Sequence, residues 1–183
     1  MRRISWARKL FHLSGCLIPL IYMVHGKTAA LLVTGTALAM AALIETLRLK
    51  GRIRPAFVEP LLKEKEARGP AGTLFYLVSC LTTIILFDKA VSSASILVLA
   101  IADPLSAAVG SRWGRISFLG KSGEGTAAFF FSSLLILACF SFNAGSIIAA
   151  SAAACAAELL STKLVDDNLT IPLVAALCLT ALR

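Results

Sequence analysis

Val91-Ser-Ser-Ala-Ser-Ile-Leu-Val-Leu-Ala-Ile-Ala-Asp-Pro-Leu-Ser-Ala-Ala-Val-Gly-Ser111 carries a single charge, Asp103, in a run long enough to cross a hydrocarbon layer. Six further apolar runs flank it, over roughly 10–24, 28–47, 72–87, 126–142, 146–164 and 170–182. Of the 183 residues, 58% are apolar before the 12 glycines are counted, and only 15% are charged. Mean hydropathy is +0.85. Soluble domains reach about 45–50% apolar with glycine included, so this composition could not cover a water-facing surface. A disordered chain would need the opposite balance. The pattern predicts an all-α polytopic membrane protein of about seven transmembrane helices, a single transmembrane domain over 1–183. Several runs are short, so their ends must borrow flanking residues or the bilayer must thin.

Charge assigns the two sides. Arg2, Arg3, Arg8 and Lys9 precede the first run, seven cations lie between Arg48 and Arg68, Arg112, Arg115 and Lys121 follow the fourth run, and Lys163 ends the sixth. These are 15 of the 18 lysines and arginines; only Lys27, Lys89 and Arg183 fall on the other side. Cations mark the cytoplasmic side, so the N-terminus is expected inside and the C-terminus outside. The net charge of +8 then follows from orientation, and nucleic acid is not an expected partner. The five cysteines lack motif spacing and read as small apolar filler. Leu13-Ser14-Gly15-Cys16 fits a lipoprotein cleavage box, but too little apolar sequence precedes it. A retained first helix is expected. The segment 48–71 has an apolar seam of Ile53, Phe57, Val58, Leu61 and Leu62 between basic ends, as an amphipathic helix on the membrane surface would, or is a solvated connection.

The unusual polar residues collect on the cytoplasmic side. Asp103 precedes Pro104 inside the fourth run; an intramembrane carboxylate is a functional candidate, and a helix cap with proline at the first helical position is the structural alternative. The loop 111–125 ends in Gly120-Lys-Ser-Gly-Glu-Gly125, and Gly110 to Gly125 hold five of the twelve glycines together with Arg112, Arg115 and Lys121. Glycine lets backbone N–H groups approach an anion, and a helix starting near Thr126 would aim its positive end there. The spacing departs from a Walker A loop. A phosphate cradle is expected, built from Arg112, Arg115, Gly120, Lys121, Ser122, Gly123 and Gly125. Glu158 stands in an alanine-rich run where it could pair with a cation or serve the site. Asp166, Asp167 and Asn168 suit helix capping, and adjacent acids facing a phosphate loop also suit Mg²⁺. Arg8 and His12 share a helix face with Lys9 beside them.

These residues together make the chain resemble the polyprenol kinase family, whose members include dolichol kinase, phytol kinase and CTP-dependent diacylglycerol kinase. The likeness rests on Arg8-Lys9-x-x-His12-x-x-Gly15, Asp103 with Gly110 and Gly114, Gly120-Lys-Ser-Gly-Glu-Gly125, and Glu158 with Asp167-Asn168-Leu-Thr-Ile-Pro172, with Glu66-x-Arg68-Gly-Pro a looser match. The family often has glycine where this chain has Ala102. The resemblance implies a kinase that transfers phosphate from cytoplasmic CTP, or ATP, to a lipid alcohol; the chain's small size and lack of a sorting extension lead us to expect a prokaryotic inner membrane. It implies catalytic roles for Asp103, Lys121, Glu158 and Asp166, and nucleotide binding by Arg112, Arg115, the Gly120–Gly125 loop and Asn168. Asp103, Glu124 and Asp167 would hold Mg²⁺, and Arg8, Lys9 and His12 would face the acceptor. CDP-lipid synthesis by a cytidylyltransferase-like route, and a lipid or anion transporter, are the competing expectations. The acceptor and the oligomeric state are left open.

Overall fold

The computed structural model describes residues 6–53, 56, 62, 66, 69–161 and 166–183. Half of the expected 48–71 surface helix, with Arg54, Lys63, Lys65 and Arg68, lies outside the described residues, as do Arg2, Arg3 and Lys163. The chain is all-helical apart from one two-residue hairpin. Its elements are α1 (Trp6–Ser14), α2 (Leu17–Leu49), α3 (Gly72–Leu86), α4 (Lys89–Leu97), α5 (Asp103–Trp113), β1 (Ser117–Phe118), β2 (Lys121–Ser122), α6 (Gly123–Ala138), α7 (Ala144–Leu159) and α8 (Asp167–Ala181). A π turn, Val98–Ala102, joins α4 to α5. Two helical stretches, Ala7–Leu49 and Lys89–Trp113, are long and apolar enough to cross a membrane; α3, α6, α7 and α8 have 15 or 16 residues each. At about 1.5 Å per residue such helices fall short of a hydrocarbon core of about 30 Å.

α2 is one helix by hydrogen bonding but two by direction. Gly26 has φ 84° and ψ −179°, a left-handed conformation that glycine adopts without a Cβ penalty. The helix is kinked there. Lys27 donates to the Ile85 carbonyl at the end of α3, and Lys89 at the start of α4 donates to Met23 on the other side of the bend. These ties fix the far end of the bundle, where Asp88 caps α4 and meets Arg183, and Asn143 caps α7 and reaches the Leu182 carbonyl. A turn at Gly15-Cys16 separates α1 from α2 and breaks the first apolar run, which was expected to be continuous.

The column α4–π turn–α5 is central. Val91, Ala94, Ile96, Val98, Leu99, Ala100 and Ala102 along it are all fully buried, packed within one core that includes Tyr76, Ile84, Phe129, Leu137, Ile171 and Leu179. Small residues from α7, Ala150 and Ala154, and from α8, Ala175 and Ala176, are buried in the same core. They let backbones approach closely, which is how helices pack where no large side chain intervenes. All five cysteines are free.

Candidate functional site

Pro104 has no N–H, so the carbonyl four residues before it loses its helical donor. The chain widens into the π turn directly ahead of it. Asp103 has helical dihedrals, φ −64° and ψ −52°, and is not an N-cap, so the structural alternative for this carboxylate is set aside. It meets α1 instead: Asp103 Oδ2 stands 3.6 Å from His12 Nδ1. Lys9, buried, donates from Nζ to the Pro104 carbonyl at 2.8 Å. The His12 ring packs edge-on to Tyr76, 5.2 Å between centroids. α1 is thus held against the break by a buried cation and a histidine.

Ser106 lies one turn after Asp103 and points its hydroxyl at Glu158 Oε1, 3.5 Å away. Glu158 is buried at the end of α7. Lys121 crosses from the hairpin and puts Nζ 2.5 Å from both the Glu158 carbonyl and Oε1. The charges of Asp103 and Asp167 also act on Glu158. Lys121, Glu158, Asp103 and Asp167 are thus drawn from four segments, β2, α7, α5 and α8.

The hairpin turns through Leu119 (φ 48°) and Gly120 (φ 78°), as a two-residue type I′ loop requires. α6 begins at Gly123, three residues earlier than expected, because Ser122 caps it by accepting from Gly125 N at 3.1 Å. Gly123 N donates to the Ile116 carbonyl at 2.8 Å. Glu124 accepts from Arg115 N at 2.9 Å and from Ile116 N at 3.3 Å. Its own amide first, and then that of Arg115, hold its carboxyl below the usual carboxylate range. The amides of Gly123, Glu124 and Gly125 are thus already engaged, and the hairpin presents side chains rather than a bare backbone cradle. A Cβ on Gly110 would come within 2.5 Å of Ser122 Oγ, and one on Gly125 within 2.9 Å of the Ser106 carbonyl, so these glycines serve the close seating of hairpin and α6 on α5. Arg112 stacks over Trp113 at 5.3 Å.

Asp166 caps α8, accepting from Asn168 N at 3.1 Å and from Asn168 Nδ2 at 2.7 Å. Asn168 Nδ2 also faces the Gly72 carbonyl at 3.4 Å. Beside them a narrow cleft is lined by Arg8, Phe11, His12, Glu66, Gly72, Thr73 and Asn168. The expected site thus falls into two groups. Lys121, Glu158, Asp103 and Asp167 form one; Arg8, His12 and Asn168 line the cleft, with Asp166 bonded to Asn168 at its edge. Glu124 turns to the hairpin backbone, and Arg115 meets it there through its amide. Among the described residues, no three His, Cys, Asp or Glu side chains form a metal cage. Mg²⁺ commonly takes only one or two carboxylates, with phosphate oxygens completing its shell.

One polar node has no counterpart in the expectations. Arg48 grips Glu45 through two bonds of 2.7 Å and donates to the Glu66 and Gly69 carbonyls, while Glu45 accepts from Ala71 N at 2.7 Å. It ties α2 to the start of α3 and positions Glu66 at the cleft. Its signal was Glu45 itself, an acid at the end of an apolar run three residues before an arginine.

The chain is similar to an uncharacterized protein of Rickettsia prowazekii, 32% identical over 180 residues that cover 91% of this chain and 88% of the relative. It is also similar to an uncharacterized protein of Methanocaldococcus jannaschii, 36% identical over 119 residues that cover 63% of this chain and 61% of the relative. No family model matches the chain. No solved structure matches it.

Proposed function

We propose that this chain, which belongs to one family with the Rickettsia prowazekii protein, is a membrane enzyme that moves the γ-phosphate of a cytoplasmic nucleoside triphosphate to the hydroxyl of a lipid alcohol. It would sit in a prokaryotic inner membrane as seven helical passes. Support for the membrane comes from the outer faces: Leu32 and Leu43 on α2, Phe131 and Leu135 on α6 and Leu177 on α8 are 60–72% exposed. Soluble monomers rarely carry apolar surface of this extent. The polar clusters lie at the two ends of the bundle, with 15 of the 18 cations assigned to one side.

The observation that carries the kinase reading is the Lys121–Glu158 pair, joined through Ser106 to the face of α5 that bears Asp103. Phosphoryl transfer needs positioning and charge neutralisation more than covalent chemistry. An ammonium has three donors; Glu158 takes two from Lys121, which leaves one for a phosphate oxygen. Glu158 orients the lysine, and Arg112 and Arg115 flank the hairpin as further phosphate contacts. Asp103 and Asp167 would hold Mg²⁺, which neutralises charge on the β- and γ-phosphates when bound. Asp166, at the edge of the cleft, is placed to take the hydroxyl proton as the alcohol oxygen attacks. The resemblance favours CTP as donor.

The test is purified protein in detergent with Mg²⁺, labelled CTP or ATP, and a panel of lipid alcohols. A lipid monophosphate and nucleoside diphosphate are expected, with turnover falling about a hundredfold or more in Asp103→Asn and Lys121→Ala. Release of pyrophosphate with a CDP-lipid would assign cytidylyl transfer instead. Full activity in both variants would remove the site.

A further inference from the structure

The cleft between α1, α3 and α8 holds a buried acceptor with nothing to accept from. Asn168 is 2% exposed, and its Oδ1 has no hydrogen-bond partner. The amide orientation is fixed by chemistry, since its nitrogen faces two acceptors, Asp166 Oδ1 at 2.7 Å and the Gly72 carbonyl at 3.4 Å. A buried acceptor left without a donor is costly, so Oδ1 calls for a donor. Glu66, 4% exposed, lines the same cleft; its Oε1 would lie 3.4 Å from a Cβ on Gly72. Thr73 and Arg8 line it too. The space accommodates about one water-sized group. That is too small for a nucleobase or a phosphate.

We infer that this cleft seats the hydroxyl of the acceptor lipid, whose single proton is donated to Asn168 Oδ1 in the bound alcohol and passes to the adjacent Asp166 on transfer, with Glu66 lining the seat. The inference rests on the kinase reading and reassigns Asn168 from the nucleotide to the acceptor. A hydroxyl is a donor of the right size. The hydroxyl then lies beside Asp166 and next to Asp167, on the side of the bundle where Lys121 holds the phosphates.

The experiment uses Glu66→Gln, Thr73→Val and Gly72→Ala in the full-length protein. A Cβ at Gly72 would meet Asn168 Nδ2 at 2.8 Å and narrow the cleft. Thermal unfolding is followed without nucleotide as farnesol, phytol or dioleoylglycerol is added to the micelles, and steady-state kinetics are measured alongside. Wild type is expected to be stabilised by at least one alcohol, and Gly72→Ala and Glu66→Gln to lose that response. The KM for the alcohol should rise about tenfold, the equivalent of one good hydrogen bond, while the KM for nucleotide stays within about twofold. If Gly72→Ala does not fold, Thr73→Val carries the same comparison. Equal stabilisation of wild type and all variants, or of none, overturns the inference and leaves a structural water as the occupant. A shift in nucleotide KM alone returns Asn168 to the nucleotide. Alcohol binding that depends on the cleft, without phosphate transfer from any nucleotide, would sink the kinase reading and keep the alcohol seat.

Discussion

Lys121 and Glu158 pair a buried acid with a cation from the hairpin. Glu158 has 4% of its side chain exposed and Lys121 has 28%, so the acid is committed to the interior and the base reaches it from the edge. Breaking a buried pair strands a charge, whereas replacing both partners by apolar groups is often neutral. Lys121→Met should therefore destabilise the protein by about 3 kcal/mol, the low end for a buried pair because the lysine keeps some water. Lys121→Met combined with Glu158→Leu should return stability to within about 1 kcal/mol of wild type. Thermal unfolding in detergent measures both. The double variant should remain inactive, because the phosphate contact is gone even though the fold is restored. Recovered stability with recovered turnover would make the pair a packing device only.

At the scale of elements, the hairpin and the start of α6 form a unit tied by Glu124, which lies ahead of the apolar run beginning at Thr126. Its carboxyl is held below the ordinary value of 4.5, chiefly by amide N–H donors. A group lowered on folding contributes fully above its ordinary value and loses that contribution as pH falls through it towards the folded one. Protection of the Arg115 and Ile116 amides against hydrogen exchange, the donors to Glu124, should fall as pH drops below about 4.5. Glu124→Ala should give low protection at every pH in the range, and unchanged wild-type protection would show that the carboxylate is not the anchor. The helices were legible in the sequence because each polar residue drawn into an apolar run costs free energy, so run ends and helix ends nearly coincide; 28–47 ends two residues before α2 does. Pairing across the bundle was not legible. Lys9 reaches Pro104 over a separation of 95 residues, and Asn168 reaches Gly72 over 96. Neither contact has a local periodicity to reveal it. The start of α6 was missed because its cap, Ser122, sits among glycines that read as loop.

For the whole molecule, the decisive feature is parity. If the stretch Ala7–Leu49 crossed the membrane once, the bundle would have six passes and both termini would share a side. The proposed seven passes require the chain to turn back at the Gly26 break, which would put the termini on opposite sides. Two cross-ties hold the break: Lys27 to Ile85 and Lys89 to Met23 bring the residues on both sides of it to the α3–α4 turn. Cations at this end are spent on helix-end carbonyls and on Asp88, whereas the other end carries most of the 18. Insertion should follow that asymmetry. Alkaline phosphatase fused after Arg183 should be active in a bacterial host, since it folds only outside the cytoplasm. The same reporter fused after Arg115 or Gly51 should be inactive, and fusion after Gly26 should be active. A cytoplasmic reporter should give the reverse pattern. An inactive C-terminal fusion with an active one at Gly51 would invert the topology and move the Lys121–Glu158 cluster away from any cytoplasmic nucleotide. Because the donor must come from the cytoplasm, that result would end the kinase proposal without a single enzyme assay.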